Sequence, residues 1–220
     1  SSTVTFPVTT VPPVTTTAPA VTVPPSVTTT APAVTIPPSV TSLDSFCFYN
    51  CSSLKSVMIG NDQPSFTETY IGRYAFANCG NLETVFVGNS VRAIYRYAFE
   101  NCSSLTSVTL GDKLERIEQA VFRNCTALTG IVFPDSLRTI EYEAFCNCKY
   151  LKTVSFNDSL QTIGERAFAS CPSLEEIKVP KSVLTIGDSS FYGCSGLVSV
   201  EIGDATAPVD KTTIARNAFY

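Results

Sequence analysis

Ser136-Leu137-Arg138-Thr139-Ile140-Glu141-Tyr142-Glu143-Ala144-Phe145-Cys146-Asn147-Cys148-Lys149-Tyr150-Leu151-Lys152-Thr153-Val154 is the stretch that decides the fold. Its Phe145, Cys148 and Leu151 recur on both sides. Phe76, Phe99, Phe122, Phe145, Phe168 and Phe191 stand 23 residues apart, each followed after three residues by a cysteine and after six by a leucine. An earlier copy, built on Phe48, Cys51 and Leu54, begins 28 residues before Phe76, and Phe219 lies 28 residues after Phe191. Three residue types held in one register over seven copies mark a repeat architecture.

Each copy reads Leu-x-x-Val-x-Val, a turn, Val/Leu-x-x-Ile, then Ala-Phe-x-x-Cys. The alternation in Leu105-Thr106-Ser107-Val108-Thr109-Leu110 predicts a short strand with alternate residues buried. Gly111-Asp112 and Pro134-Asp135 are turn signals. The Ala-Phe-x-x-Cys part is expected to make one turn of helix that points Phe inward. One such unit cannot bury its own apolar face, so the units stack, at about 4.8 Å per strand. The expected architecture is a mostly β repeat solenoid.

The Ser136 to Val154 pattern strongly resembles the BspA-like leucine-rich repeats of bacterial and parasitic-protist surface proteins, and the likeness covers residues 34–220. The resemblance implies a right-handed superhelix with a parallel β-sheet on one face and short helical turns on the other. It also implies extracellular display at the cell surface, with adhesion or binding to a protein or glycoprotein partner. The final residues, Asn217-Ala218-Phe219-Tyr220, stop halfway through a unit, as expected of a fragment.

Residues 1–33 are a different kind of chain. All 34 charged residues lie at or after Asp44, and residues 1–42 hold 13 Thr, 9 Val and 9 of the 14 Pro. Val21-Thr22-Val23-Pro24-Pro25-Ser26-Val27 and Val34-Thr35-Ile36-Pro37-Pro38-Ser39-Val40 both match the strand and turn of a full unit, as in Ile177-Lys178-Val179-Pro180-Lys181-Ser182-Val183. Their 13-residue spacing is too short to close a coil. Such a segment is either an extended, polyproline-like linker open to Thr glycosylation, or an element that docks on the solenoid or a neighbouring copy.

Composition narrows the chemistry. The chain has no histidine, which removes the usual general base of hydrolases and most metal sites. Net charge is −4, which disfavours a nucleic-acid partner. No apolar run approaches the length of a membrane span. No nucleophile elbow, phosphate loop or calcium-loop spacing is present, the last even in the Asp62–Glu68 insertion, so no enzyme and no cofactor are expected.

Seven of the nine cysteines, Cys51, Cys79, Cys102, Cys125, Cys148, Cys171 and Cys194, form a ladder beside the inward Phe and are expected to be buried, inert thiols. Their expected spacing leaves disulfides within reach. Cys47 falls in an alanine slot and is expected to be buried. Cys146 falls where other units carry Glu100, Arg123, Ala169 or Tyr192, so it is expected to be the one exposed thiol. Of the four Asn-x-Ser/Thr sequons, Asn50, Asn101 and Asn124 sit in the Asn-Cys step, where turn hydrogen bonds are expected. Asn157, in a loop, should be the most accessible.

The remaining candidate surface is the sheet. The residue between the two Val-type positions points outward, giving a stripe of Met58, Phe86, Thr109, Val132, Ser155, Lys178 and Glu201, apolar at its N-terminal half and charged at the other. Two functions fit. One is a surface-displayed solenoid that binds or adheres through this face. The other is a self-assembling surface fibre or homo-oligomer in which the N-terminal segment of one copy packs on the next, since open strand edges pair unless blocked.

Overall fold

The computed structural model describes residues 33–61, 68–203 and 212–220. The segment before Ala33 and the Asp62–Thr67 part of the insertion therefore lie outside the described residues. The strands are β1 (Ala33–Ile36), β2 (Ser42–Leu43), β3 (Ser56–Ile59), β4 (Thr69–Ile71), β5 (Thr84–Val87), β6 (Val91–Ile94), β7 (Ser107–Leu110) and β8 (Arg116–Ile117). They continue as β9 (Gly130–Val132), β10 (Thr139–Ile140), β11 (Thr153–Ser155), β12 (Thr162–Ile163), β13 (Glu176–Val179), β14 (Thr185–Ile186), β15 (Ser199–Ile202) and β16 (Thr213–Ile214).

Odd and even strands build opposite walls of a solenoid. The odd strands pair in parallel as β1-β3-β5-β7, β9-β11 and β13-β15. The even strands form one continuous parallel sheet of eight, from β2 to β16. This second sheet is absent from the expectation, which placed sheet on one side only. Its strands come from the Val/Leu-x-x-Ile step and contribute one inward isoleucine each through most of its length, as at Ile117, Ile140 and Ile163, all fully buried. On the odd strands Val57, Ile59, Val85, Val87, Ile177 and Val179 point inward.

The Ala-Phe-x-x-Cys segment is a chain of turns, not a turn of helix. Two residues per unit take positive φ, two before and two after the Phe, as at Glu143 (53°) and Asn147 (63°). That alternation aims N–H groups along the solenoid axis: Phe145 donates to the Ala167 carbonyl at 2.7 Å and Asn147 to Ala169 at 2.8 Å. The backbone groups of the buried edge are thereby satisfied by the next coil, which a helical turn would not allow. The slot two residues after Phe accordingly holds Asn at 50, 78, 101, 124 and 147 and Gly at 193, residues that tolerate the left-handed region, with Ser170 as its one other occupant.

Phenylalanine is the core's spine. The rings of Phe48, Phe76, Phe99, Phe122, Phe145, Phe168, Phe191 and Phe219 stack in one column with centroids 5.0–5.4 Å apart. Phe133 and Phe156 meet this column edge-on, against Phe145 and Phe168.

Candidate functional site

The outward stripe read from the sequence is a real file of side chains. Met58 pairs with Phe86 and Phe86 with Thr109, Val132 pairs with Ser155, and Lys178 with Glu201. All are exposed except Phe86, which is half-buried; Met58 is 47% and Val132 69% exposed. A second outward column runs beside it through Ser56, Thr84, Ser107, Gly130 and Thr153. From Ala33 and Thr35 on β1 to Thr153 and Ser155 on β11, the outward strand positions carry no charge. The character then changes within one unit: Lys178 meets Glu176 at 3.2 Å and Glu201 at 4.0 Å. These exposed pairs contribute little to stability.

A second ordered surface lies along the turn edge, and the sequence reading missed it. Phe46, Tyr74 and Tyr97 stack at 4.9 and 4.7 Å, and Tyr49 meets Phe46 edge-on. The Arg123 guanidinium lies 5.3 Å from the Tyr97 ring centre. From there the edge becomes an ion-pair chain. Arg123 donates to Glu100 and, at 2.8 Å, to Glu143, which also accepts from Arg166 at 3.0 Å. Burial pushes the Glu143 carboxyl up, but the Arg123, Tyr142 and Arg166 contacts outweigh it and hold the group below the usual carboxylate range. The signal was available, since Glu100 and Arg123 occupy one repeat slot in successive units, and Glu143 and Arg166 another.

The cysteines follow the ladder, with corrections at one end. Cys79, Cys102, Cys125, Cys148, Cys171 and Cys194 are buried, and each S–H donates to the carbonyl of the Phe one coil back, at 3.1–3.3 Å. All nine are free thiols. Burial pushes Cys102 up to about 12. Cys51 is only half-buried and Cys47 is exposed, against expectation; both lie in the first described coil. Cys47 is still crowded enough around its sulfur that desolvation raises it to about 12. Cys146, expected to be exposed, is buried, close to the charged side chains of Glu143, Arg166 and Arg123, and burial raises its thiol above the ordinary range.

Of the sequon asparagines in the Asn-Cys step, Asn101 and Asn124 are engaged side chain to side chain along the solenoid, whereas Asn50, in the first such coil, is exposed. Asn147 donates to Asn124, Asn124 to Asn101, Asn101 to Asn78 and Asn78 to the Tyr49 hydroxyl, each at 2.7–2.8 Å. Asn157, expected to be the most accessible, is 5% exposed. Its amide donates to the Pro134 and Leu137 carbonyls, which closes the loop.

Known structures share this architecture. A leucine-rich repeat protein from Bacteroides ovatus is 29% identical with a TM-score of 0.68, over 85% of this chain and 52% of that one. The chain thus spans about half the length of that relative. The T. pallidum leucine-rich repeat protein is 26% identical with a TM-score of 0.54, over 79% of this chain and 73% of that one. A leucine-rich repeat protein from Eubacterium ventriosum, 15% identical with a TM-score of 0.53 over 85% and 82%, shares the fold. No curated protein sequence matches the chain. The model of the BspA type leucine-rich repeat region matches residues 27–135 and 115–220, and with the Phe-Cys-Leu register and stacked coils described above, the chain belongs to that family.

Proposed function

We propose that the chain is an extracellular, cell-surface interaction module that holds a protein or glycoprotein partner on the outward face of its odd-strand sheet. The observation that carries this reading is the uncharged platform from β1 to β11, with Met58 and Val132 exposed in its central file. Met58 and Phe86 are neighbours in this file and Val132 stands beyond Thr109; apolar side chains gathered on one uncharged face mark an interface more often than scattered exposed residues do. The strands hold the patch rigid, so little ordering entropy opposes binding. The charged file at Lys178 and Glu201 supplies an orientation at one end. Leucine-rich repeat proteins are typically non-enzymatic binding proteins, and the reading is of that kind.

The test is adherence of the purified chain to an immobilised array of extracellular glycoproteins. The native chain is expected to be retained on at least one, and Phe86→Asp to lose that retention with an unchanged circular dichroism spectrum. Retention of a folded Phe86→Asp chain would eliminate this face as the site, and no retention of the native chain on any of them would count against the adhesive reading.

A further inference from the structure

Among the described residues, the first strand of the odd sheet has a neighbour on one side. β1 pairs with β3, with Val34 opposite Val57 and Thr35 opposite Met58, and among the described residues nothing pairs with its other edge. The strand is short, but neither a charge nor a proline lies within it to block pairing along that edge. Ala33-Val34-Thr35-Ile36 carries no charge, whereas the last odd strand, β15, carries Glu201.

The sequence supplies a segment that matches β1 and its turn at all but one position. Residues 18–28, Ala-Pro-Ala-Val-Thr-Val-Pro-Pro-Ser-Val-Thr, repeat residues 31–41 with one change, Val23 for Ile36. In the 31–41 copy, Val34, Ile36 and Val40 are buried, Thr35 is exposed, and the Val40 N–H closes the turn on the Pro37 carbonyl at 3.0 Å. Residues 18–28 therefore have the composition to lay Val21, Val23 and Val27 over the same three positions one layer further out. Their prolines flank the strand, so the N–H groups of Ala20 to Val23 stay available for the ladder.

Chain length argues against a donor within the same molecule. A parallel neighbour needs a crossover of about a dozen residues or more. Between Ile36 and Ser56 the solenoid uses residues 37–55; between Val23 and Ala33 only residues 24–32 are available, three of them proline. A fold-back onto the chain's own β1 would run antiparallel and carry Val27 away from Val40. We propose that the open edge of β1 is a docking site for residues 18–28 of a second copy of this chain, in parallel register with Thr22 beside Thr35. This contact uses the sheet's edge and leaves its outward face free, so it stands or falls separately from the binding face.

Neighbouring strands about 4.8 Å apart fall within disulfide range. Full-length Thr22→Cys and Thr35→Cys chains, each folded by circular dichroism, are mixed, oxidised and run on a non-reducing gel. The expected result is a reducible species of twice the chain mass that forms in the mixture beyond either variant alone, with the 22–35 link confirmed by peptide mass. Absence of that link in the mixture overturns the proposal. So does a 22–35 link that forms in the double variant only within one chain.

Discussion

Cys146 and Cys51 exchange the exposures that their places in the repeat suggest, and both outcomes come from neighbours. Cys146 is buried beside Arg123, Glu143 and Arg166, whereas Cys51 sits in the first described coil and is half-open. The neighbouring Cys79 thiol draws the Cys51 thiol below its ordinary range. Alkylation requires the thiolate. Cys51 is therefore expected to label first and at a lower pH than a free thiol, Cys47 more slowly because its proton is held, and Cys146 only on unfolding. Peptide mapping of the native protein over a pH series checks the order, and early labelling of Cys146 contradicts the covered geometry. Glu143 gives a second residue-scale test. Its folded pKa is depressed, so its contribution is present above the unfolded carboxylate pKa, about 4.3, and is lost as pH falls through the lower folded value. Glu143→Gln should lower stability by about 2 kcal/mol at pH 7 in urea titrations. The difference from the native chain should shrink at the acid end, and a constant difference would show that charge pairing is not its source.

The Phe column sets the energetics of each element. Removing a ring in mid-column opens a cavity bounded by two further rings and both sheets. Phe122→Ala is expected to cost about 3–5 kcal/mol, and Phe48→Ala, at a half-buried end, clearly less. Equal losses in thermal or urea unfolding would mean that the stack is not the core's spine. The 23-residue period, the odd strands and the inward Phe-Cys-Leu set were all legible in the sequence, because a side chain that recurs in one slot needs no partner information to be placed. The even sheet was not. Arg116–Ile117 or Thr139–Ile140 is two residues long, too short for alternation to register, and is a strand only because the next coil supplies hydrogen bonds. The turn segment was misread for a related reason, since its positive-φ residues make sense only once Phe145 and Asn147 are seen donating to the following coil. Cys47, Cys51 and Asn157 fail where slot equivalence fails: at an end coil, and in a loop whose asparagine finds two carbonyls.

For the whole molecule, the two sheets have different fates. The even sheet's outward column turns to Thr139, Thr162, Thr185 and Thr213 in its C-terminal half, a plain hydroxyl ladder. The odd sheet presents the uncharged platform with its apolar file. A substitution on the even side, Thr185→Asp, should accordingly leave glycoprotein retention within about twofold, well below the tenfold that 1.4 kcal/mol represents. A loss equal to that of Phe86→Asp would show that the effect of charge is not local. The most direct measurement uses Met58, the chain's only methionine, which stands exposed on the second strand of the proposed face beside Phe86. Its rate of sulfoxide formation under dilute peroxide is read by mass spectrometry for the free chain and for the chain saturated with the glycoprotein that retains it. The account predicts several-fold protection of Met58 in the complex with no change in the labelling of Cys47, and an unchanged Met58 rate in a saturated complex would contradict it.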